Sequence, residues 1–183
     1  MNNYNSNGLV IKSKQDMRYF LAEDLKSRGV KSLPHFYQLR KPIVYFQVLL
    51  RRAEYIQNTK EGILGKIRFE WIALKFRWLS VVLGYSIPLN TCGPGLYLVH
   101  YGSIVISSGA RIGQNCRIHS CVNIGSDGRG APQIGDNVYI GPGAKLFGNI
   151  TIGNNVRIGA NAVVNKSFPD NVTVVGVPAR IVN

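Results

Sequence analysis

The 183-residue sequence predicts a mainly β fold, a parallel β-helix of hexapeptide repeats with an α-helical N-terminal region. Three observations predict it. From about residue 98 onward an aliphatic residue, usually followed by Gly, returns every six positions with a small residue between. Residues 1–90 lack that period and place their apolar residues at helical spacing. The charge divides at the same point: 15 Lys and Arg against six Asp and Glu give residues 1–90 a net +9, against +4 for residues 91–183. The chain is therefore read as a basic helical region, 1–90, followed by a β-helix domain, 91–183. A total of +13 directs it toward anionic partners, and no recognisable nucleic-acid motif accompanies the charge.

In chain order, helices are expected over Ser13–Arg28, Pro42–Asn58 and Glu61–Leu83, punctuated by Gly29, Pro34 and Gly84. On the third, Ile67, Trp71, Leu74, Trp78 and Val81 form one stripe, with Lys66, Lys75 and Arg77 off it. Such a stripe is expected to pack on the β-helix or on another subunit; a peripheral contact with an anionic membrane is the rival reading. The segment Ile63–Leu83 is interrupted by five charges and does not read as a membrane span. Met1–Gly8 is polar and does not read as a signal peptide, so a cytoplasmic location is expected, at the inner face of the membrane if the helices touch it.

The repeat units run IGQNCR from Ile112, IHSCVN from Ile118, IGSDGR from Ile124, IGDNVY from Ile134, IGPGAK from Ile140, LFGNIT from Leu146, IGNNVR from Ile152 and IGANAV from Ile158. Counting back in sixes adds ISSGAR from Ile106 and HYGSIV from His100. Each unit is a short strand with its aliphatic and small residues turned inward, then a turn that Gly or Asn makes at positive φ. Three units close a triangular coil, so residues eighteen apart stack. The expected inner columns are His100, Ile118, Ile140, Ile158; then Ile106, Ile124, Leu146, Val164; then Ile112, Ile134, Ile152. Ten residues instead of six separate Ile124 from Ile134, so about four in Ser126–Gln133 are expected to bulge out as a loop.

Few side chains in such a coil can do chemistry. Of three histidines, His35 sits in an interhelical connection and reads as structural, whereas His100 breaks an aliphatic column and His119 takes a Gly position one residue after Ile118. The two imidazoles are expected to be diagonal neighbours. Cys92 and Cys116 fall in small inward slots and Cys121 at a turn, without metal-binding spacing; no metal site is expected.

The segments GLYLVHYGSIVISSGARIG, VNIGSDGRGAPQIG and GVPARIVN resemble the serine acetyltransferase branch of the hexapeptide-repeat acyltransferases, over residues 85–183. The resemblance implies a left-handed coil, acetyl-CoA as donor, a homotrimer with sites between subunits, and His100 of the Leu98-Val99-His100 segment as general base. It implies a pantetheine arm along Ser126, Gly141, Pro142 and Ala160, with Lys166 and Arg180 at the adenosine phosphates. Pro142 replaces a residue whose N–H would bond that arm. Three departures stand out. The acid before the histidine is Val99 here, the second orienting acid falls at Tyr85, and an Arg-His pair before Pro132 is Gly130-Ala131. These departures resemble relatives that acetylate sugar hydroxyls. The expected function is therefore O-acetylation of a free, nucleotide-linked or lipid-linked sugar in capsular, lipopolysaccharide or exopolysaccharide synthesis. The alternatives are serine O-acetylation for cysteine biosynthesis and N-acetylation of an amino sugar; a zinc carbonic anhydrase of the same shape would need a third histidine in the repeats.

Overall fold

A computed structural model describes residues 10–30 and 40–182. Among the described residues three helices come first: α1 (Lys14–Lys26), α2 (Pro42–Thr59) and α3 (Gly62–Leu83). Each boundary has a local cause. Ser13 caps α1 reciprocally with Asp16, Pro42 opens α2 at a position where its missing N–H costs nothing, and Gly84 closes α3 at φ 73°, a conformation that glycine adopts without steric penalty.

Fourteen short strands then wind into a prism with three parallel faces. One face is β1 (Tyr85–Ser86), β3 (Ile104–Ile106), β6 (Asn123–Gly125), β9 (Lys145–Phe147) and β12 (Val163–Val164). A second is β4 (Arg111–Ile112), β7 (Gln133–Ile134) and β10 (Thr151–Ile152), extended by single bridges to Cys92 and Phe168. The third is β2 (Tyr97–Leu98), β5 (Arg117–Ile118), β8 (Tyr139–Ile140), β11 (Arg157–Ile158) and β13 (Thr173–Val175), finished by β14 (Arg180–Ile181), which runs antiparallel. The first strand, β1, lies ahead of residue 91, so the coil begins directly after α3.

The inward aliphatic residues stack into buried columns such as Ile106, Ile124, Leu146 and Val164. At one edge Asn115, Asn137, Asn155 and Asn171 all take φ between 53° and 62°. Asn115 donates its side-chain amide to Asn137 (3.2 Å), and Asn155 donates to Asn171 (2.8 Å), so the residue that makes the turn also ties it to the next coil. The four extra residues before Ile134 do leave the coil: the pairings Ile112 with Ile134 and Ile124 with Leu146 both span 22 residues. Within the loop Arg129 pairs with Asp127, and the Ser126 hydroxyl donates to the Gly130 carbonyl.

One column departs from the six-residue count. Leu98, not His100, pairs with Ile118, and His100 is exposed. Leu98 and Ile106 are eight residues apart where their partners Ile118 and Ile124 are six apart, so two extra residues widen this corner and turn His100 out of the core. The column is Leu98, Ile118, Ile140, Ile158 and Val174.

The helices dock through a buried charge cluster. The Arg51 guanidinium, fully buried, donates to Asp24, to Glu54 and to the carbonyls of Cys92 and Gly93. Asp24 also accepts from the Leu96 N–H and Glu54 from the Asn90 N–H, so one cation and two anions fix α1 and α2 to the first coil. Burial pushes both carboxyl pKa values up, and Arg51 opposes that rise. The face of α3 that packs is Ile72, Ala73, Phe76, Leu79 and Leu83. The Ile67–Val81 stripe, expected to pack on the β-helix or on another subunit, does not pack on the β-helix of its own chain, because α3 has a second apolar face about half a turn away that does.

Candidate active site

One edge of the prism gathers both candidate histidines and part of the expected donor path. His119 follows β5, and its N–H donates to the Ile140 carbonyl (3.1 Å); Gly141 follows β8 and donates to Ile158 (2.8 Å); Gly159 follows β11 and donates to Val174 (2.8 Å). These three residues therefore stack one coil apart, roughly 4.8 Å per step. His100 occupies the same edge one coil earlier, with its ring centroid 6.2 Å from that of His119.

Among the described residues no carboxylate pairs with His100. Instead the Tyr85 hydroxyl donates to the His100 carbonyl (2.8 Å), and Arg28 donates to the carbonyl of Leu98 two residues before it. Tyr85, at the place where the resemblance has an acid, thus holds the main chain at the widened corner. Its own ionisation is pushed up by burial.

His119 is half-buried, its Nε2 is shielded from solvent, and that nitrogen has no hydrogen-bond partner among the described residues. Its ring lies 5.1 Å from Tyr139. Burial, then the charges of Arg117 and His100, hold its pKa below the ordinary 6.5. Arg117 belongs to a ladder that the repeat reading missed: Arg28 lies 4.7 Å over Tyr97, Arg117 4.9 Å over Tyr97, and Arg157 4.8 Å over Tyr139. The signal was available in sequence, since Tyr97, Arg117, Tyr139 and Arg157 each precede a column residue and so share the outward slot.

The donor residues expected from the resemblance divide between two edges. Gly141, Pro142 and Ala160 continue the histidine edge, and Arg180 lies at its far end, opposite Val175. Gly141 is required there by close approach, because a Cβ would stand 2.8 Å from the Ala160 nitrogen and the Ile158 oxygen. Pro142 accepts the Asn161 N–H (2.9 Å), so its carbonyl is engaged in the turn. Ser126 and Lys166 lie at the next edge, beyond β6 and β12. Between the loop and that edge is an open cavity of about 460 Å³ lined by Asp127, Arg129, Phe147, Gly148, Asn149, Ile150 and Asn165.

Cys92 and Cys116 are buried, and burial raises their thiols, Cys92 to about 11, which removes them as nucleophiles at neutral pH. Cys121 is exposed at a left-handed turn, φ 62°. His35 lies outside the described residues. Among the described residues no group of three His, Cys, Asp or Glu side chains converges as a metal site would require.

Residues 131–166 match the family model described as bacterial transferase hexapeptide (six repeats). These coils carry the repeat of the bacterial hexapeptide transferases. The likeness extends into the helices. A serine acetyltransferase of Buchnera aphidicola subsp. Schizaphis graminum is 38% identical over 138 residues, 72% of this chain and 50% of that protein. The crystal structure of serine acetyltransferase from Brucella abortus strain S19 superposes with a TM-score of 0.71 at 28% identity, covering 92% of this chain and 69% of that one. A serine acetyltransferase solved in complex with CoA superposes at 0.70 with 25% identity, covering 92% and 70%. The chain spans half or less of the length of the curated relatives it matches.

These matches correct the expected acceptor. Proximity to polysaccharide O-acetyltransferases was inferred from the absent Asp and the Gly130-Ala131 loop, yet the likeness to serine acetyltransferases runs through both the repeats and the N-terminal helices. A sugar acceptor is therefore set aside.

Proposed function

We propose that this chain is an acetyl-CoA-dependent serine O-acetyltransferase of cysteine biosynthesis, assembled as a homotrimer. The observation that carries the reading is the serine acetyltransferase likeness over 72% of the chain, coinciding with a histidine pair at the head of the Gly141–Ala160 edge. His100 removes the serine hydroxyl proton as the oxygen attacks the thioester carbonyl. The tetrahedral oxyanion collapses, the C–S bond breaks, and the CoA thiolate takes the proton back from His100. O-acetylserine and CoA leave, and the imidazole is neutral again. His119, kept neutral by burial and by its cationic neighbours, lines the pocket without adding charge beside the base. With Gly130-Ala131 unable to hold a carboxylate, Arg117 takes that part, since its charge acts on His119 and its guanidinium lies over the Tyr97 ring. The pantetheine arm runs down from His119 over Gly141, Pro142 and Ala160, a drop of roughly 10 Å over two coil steps.

Thiol release from acetyl-CoA, measured with L-serine, with D-serine and with nucleotide-activated hexoses, tests the proposal. Turnover with L-serine at ordinary enzymatic rates supports it. Turnover confined to a sugar, or absent with every acceptor while acetyl-CoA binds, overturns it.

A further inference from the structure

The outward face of α3 is the least explained surface of the molecule. Ile63, Leu64, Ile67, Trp71, Leu74, Trp78, Val81 and Val82 are all exposed there, Trp71 by 66% and Trp78 by 67%. At 100° per residue they occupy one arc of about 100°, opposite the face that packs on the fold. Cations border this arc on both sides. Arg68 and Lys75 flank one side; Lys66 and Arg77 flank the other, where Glu70 is the sole acid and is paired with Arg77. Directly beside it, a cleft of about 520 Å³ between the three helices is lined by Lys14, Arg52, Arg68 and Lys75 with Trp71 at its lip, and by no acid. Among the described residues none of these four cations pairs with a carboxylate.

We infer that this surface is a docking face for an anionic membrane, with the apolar arc of α3 entering the headgroup boundary and the four-cation cleft receiving lipid phosphates. Charge decides the occupant. A second copy laid on the same arc would bring together two helices that each carry four cations against Glu70 alone, a net +3 apiece. An anionic bilayer supplies apolar depth at the centre and negative charge at both borders, and the long Lys and Arg side chains reach outward to it. No helix among the described residues is long and apolar enough to cross a membrane, so α3 lies along the surface. The inference is independent of the acetyl-transfer reading, because this face shares no residue with the histidine edge.

Both tryptophans of the chain lie on the arc, so native fluorescence reports on it directly. The full chain is titrated with phosphatidylcholine vesicles, with and without about 30% phosphatidylglycerol, and binding is also followed by co-sedimentation. The anionic vesicles should bind it and shift the emission to the blue, and neutral vesicles should do so at least about tenfold more weakly. Arg68→Glu with Lys75→Glu, and separately Leu74→Glu, should each abolish the shift while far-UV circular dichroism and serine acetylation without vesicles stay unchanged. Equal affinity for neutral and anionic vesicles, or none for either, overturns the inference. So does a finding that the tryptophans are already shielded from acrylamide without lipid, in an oligomer that Leu74→Glu dissolves; the arc would then join copies of the chain.

Discussion

At the corner following Leu98 the chain has two residues more than the repeat allows, and that surplus turns His100, the proposed base, from a core position out to solvent. Replacing it by Asn keeps the size and removes the base. A rate loss of about 10² to 10⁴ is expected in kcat with little change in acetyl-CoA affinity, because the donor edge lies on later coils; steady-state kinetics beside a donor-binding titration check this. Tyr85 acts one step away. Tyr85→Phe deletes one neutral hydrogen bond, worth about 1 kcal/mol, so kcat should drop about fivefold with the KM for serine unchanged; a larger rise in KM than fall in kcat would contradict a positioning role. His119 offers a pH test. Its neutral form is favoured in the folded chain, so the imidazole resonance should titrate below 6.5, and Arg117→Gln, by removing one positive neighbour, should move the midpoint up. The same substitution should raise the KM for serine. The position of His119 was legible from the repeat alone, since Ile118 and the residue after it are fixed by period; the two imidazoles do come within 6.2 Å, but from a widened corner and not from the column the repeat assigned to His100. That His100 would leave its column was not legible, because two inserted residues are invisible to a count in sixes when the next aliphatic residue falls where the count expects it.

Among the elements, the three helices could be placed from caps and breakers, because Ser13 with Asp16, Pro42 and Gly84 act locally and need no tertiary context. The side of α3 that packs could not. A helix with apolar residues over two opposed arcs gives periodicity two equal solutions, and only the shape of α2 and the first coil chooses Ala73, Phe76, Leu79 and Leu83 over the tryptophan side. Arg51 was equally hidden, since its partners Asp24 and Glu54 and the carbonyls of Cys92 and Gly93 come together only after docking. The cluster tests how the helices are held. Arg51→Met keeps the length and removes the cation, leaving two buried carboxylates without their counter-charge, a loss of about 3 to 5 kcal/mol. Chemical denaturation should show that loss. The midpoint should recover partly as pH falls, because the unpaired carboxyls then take up protons while those of the unfolded chain remain ionised. A loss under about 1 kcal/mol, or no recovery on acidification, would mean that apolar contacts alone dock the helices.

For the whole molecule, the division of donor residues between two edges of one prism is the feature that bears on assembly. Ala160 and Lys166 are six residues apart, across the turn at Asn161 and β12, so their main chains are separated by no more than about 20 Å, and Arg180 lies at the far end of Ala160's edge. A donor lying along the histidine edge therefore reaches Ser126 and Lys166 most directly if a neighbouring subunit turns its second edge toward it. This is the arrangement expected of the proposed homotrimer, in which each site takes one edge from each of two chains. Lys166→Ala and Arg180→Ala should each weaken acetyl-CoA binding by roughly 1 to 3 kcal/mol, and should do so less for a donor lacking the 3′-phosphate. Mixing experiments then decide whether the two edges act in one chain or across two. His100→Asn disables one edge and Lys166→Ala the other, so each protein alone is impaired when acetyl-CoA is limiting. If the edges meet between subunits, trimers reassembled from equal amounts pair two intact edges in about a quarter of their sites, and activity rises accordingly above either variant. If both edges of a site belong to one chain, every mixed site keeps one defect and activity stays at the average of the two. Sedimentation of the same samples as trimers, with no gain on mixing, would exclude a site shared between subunits.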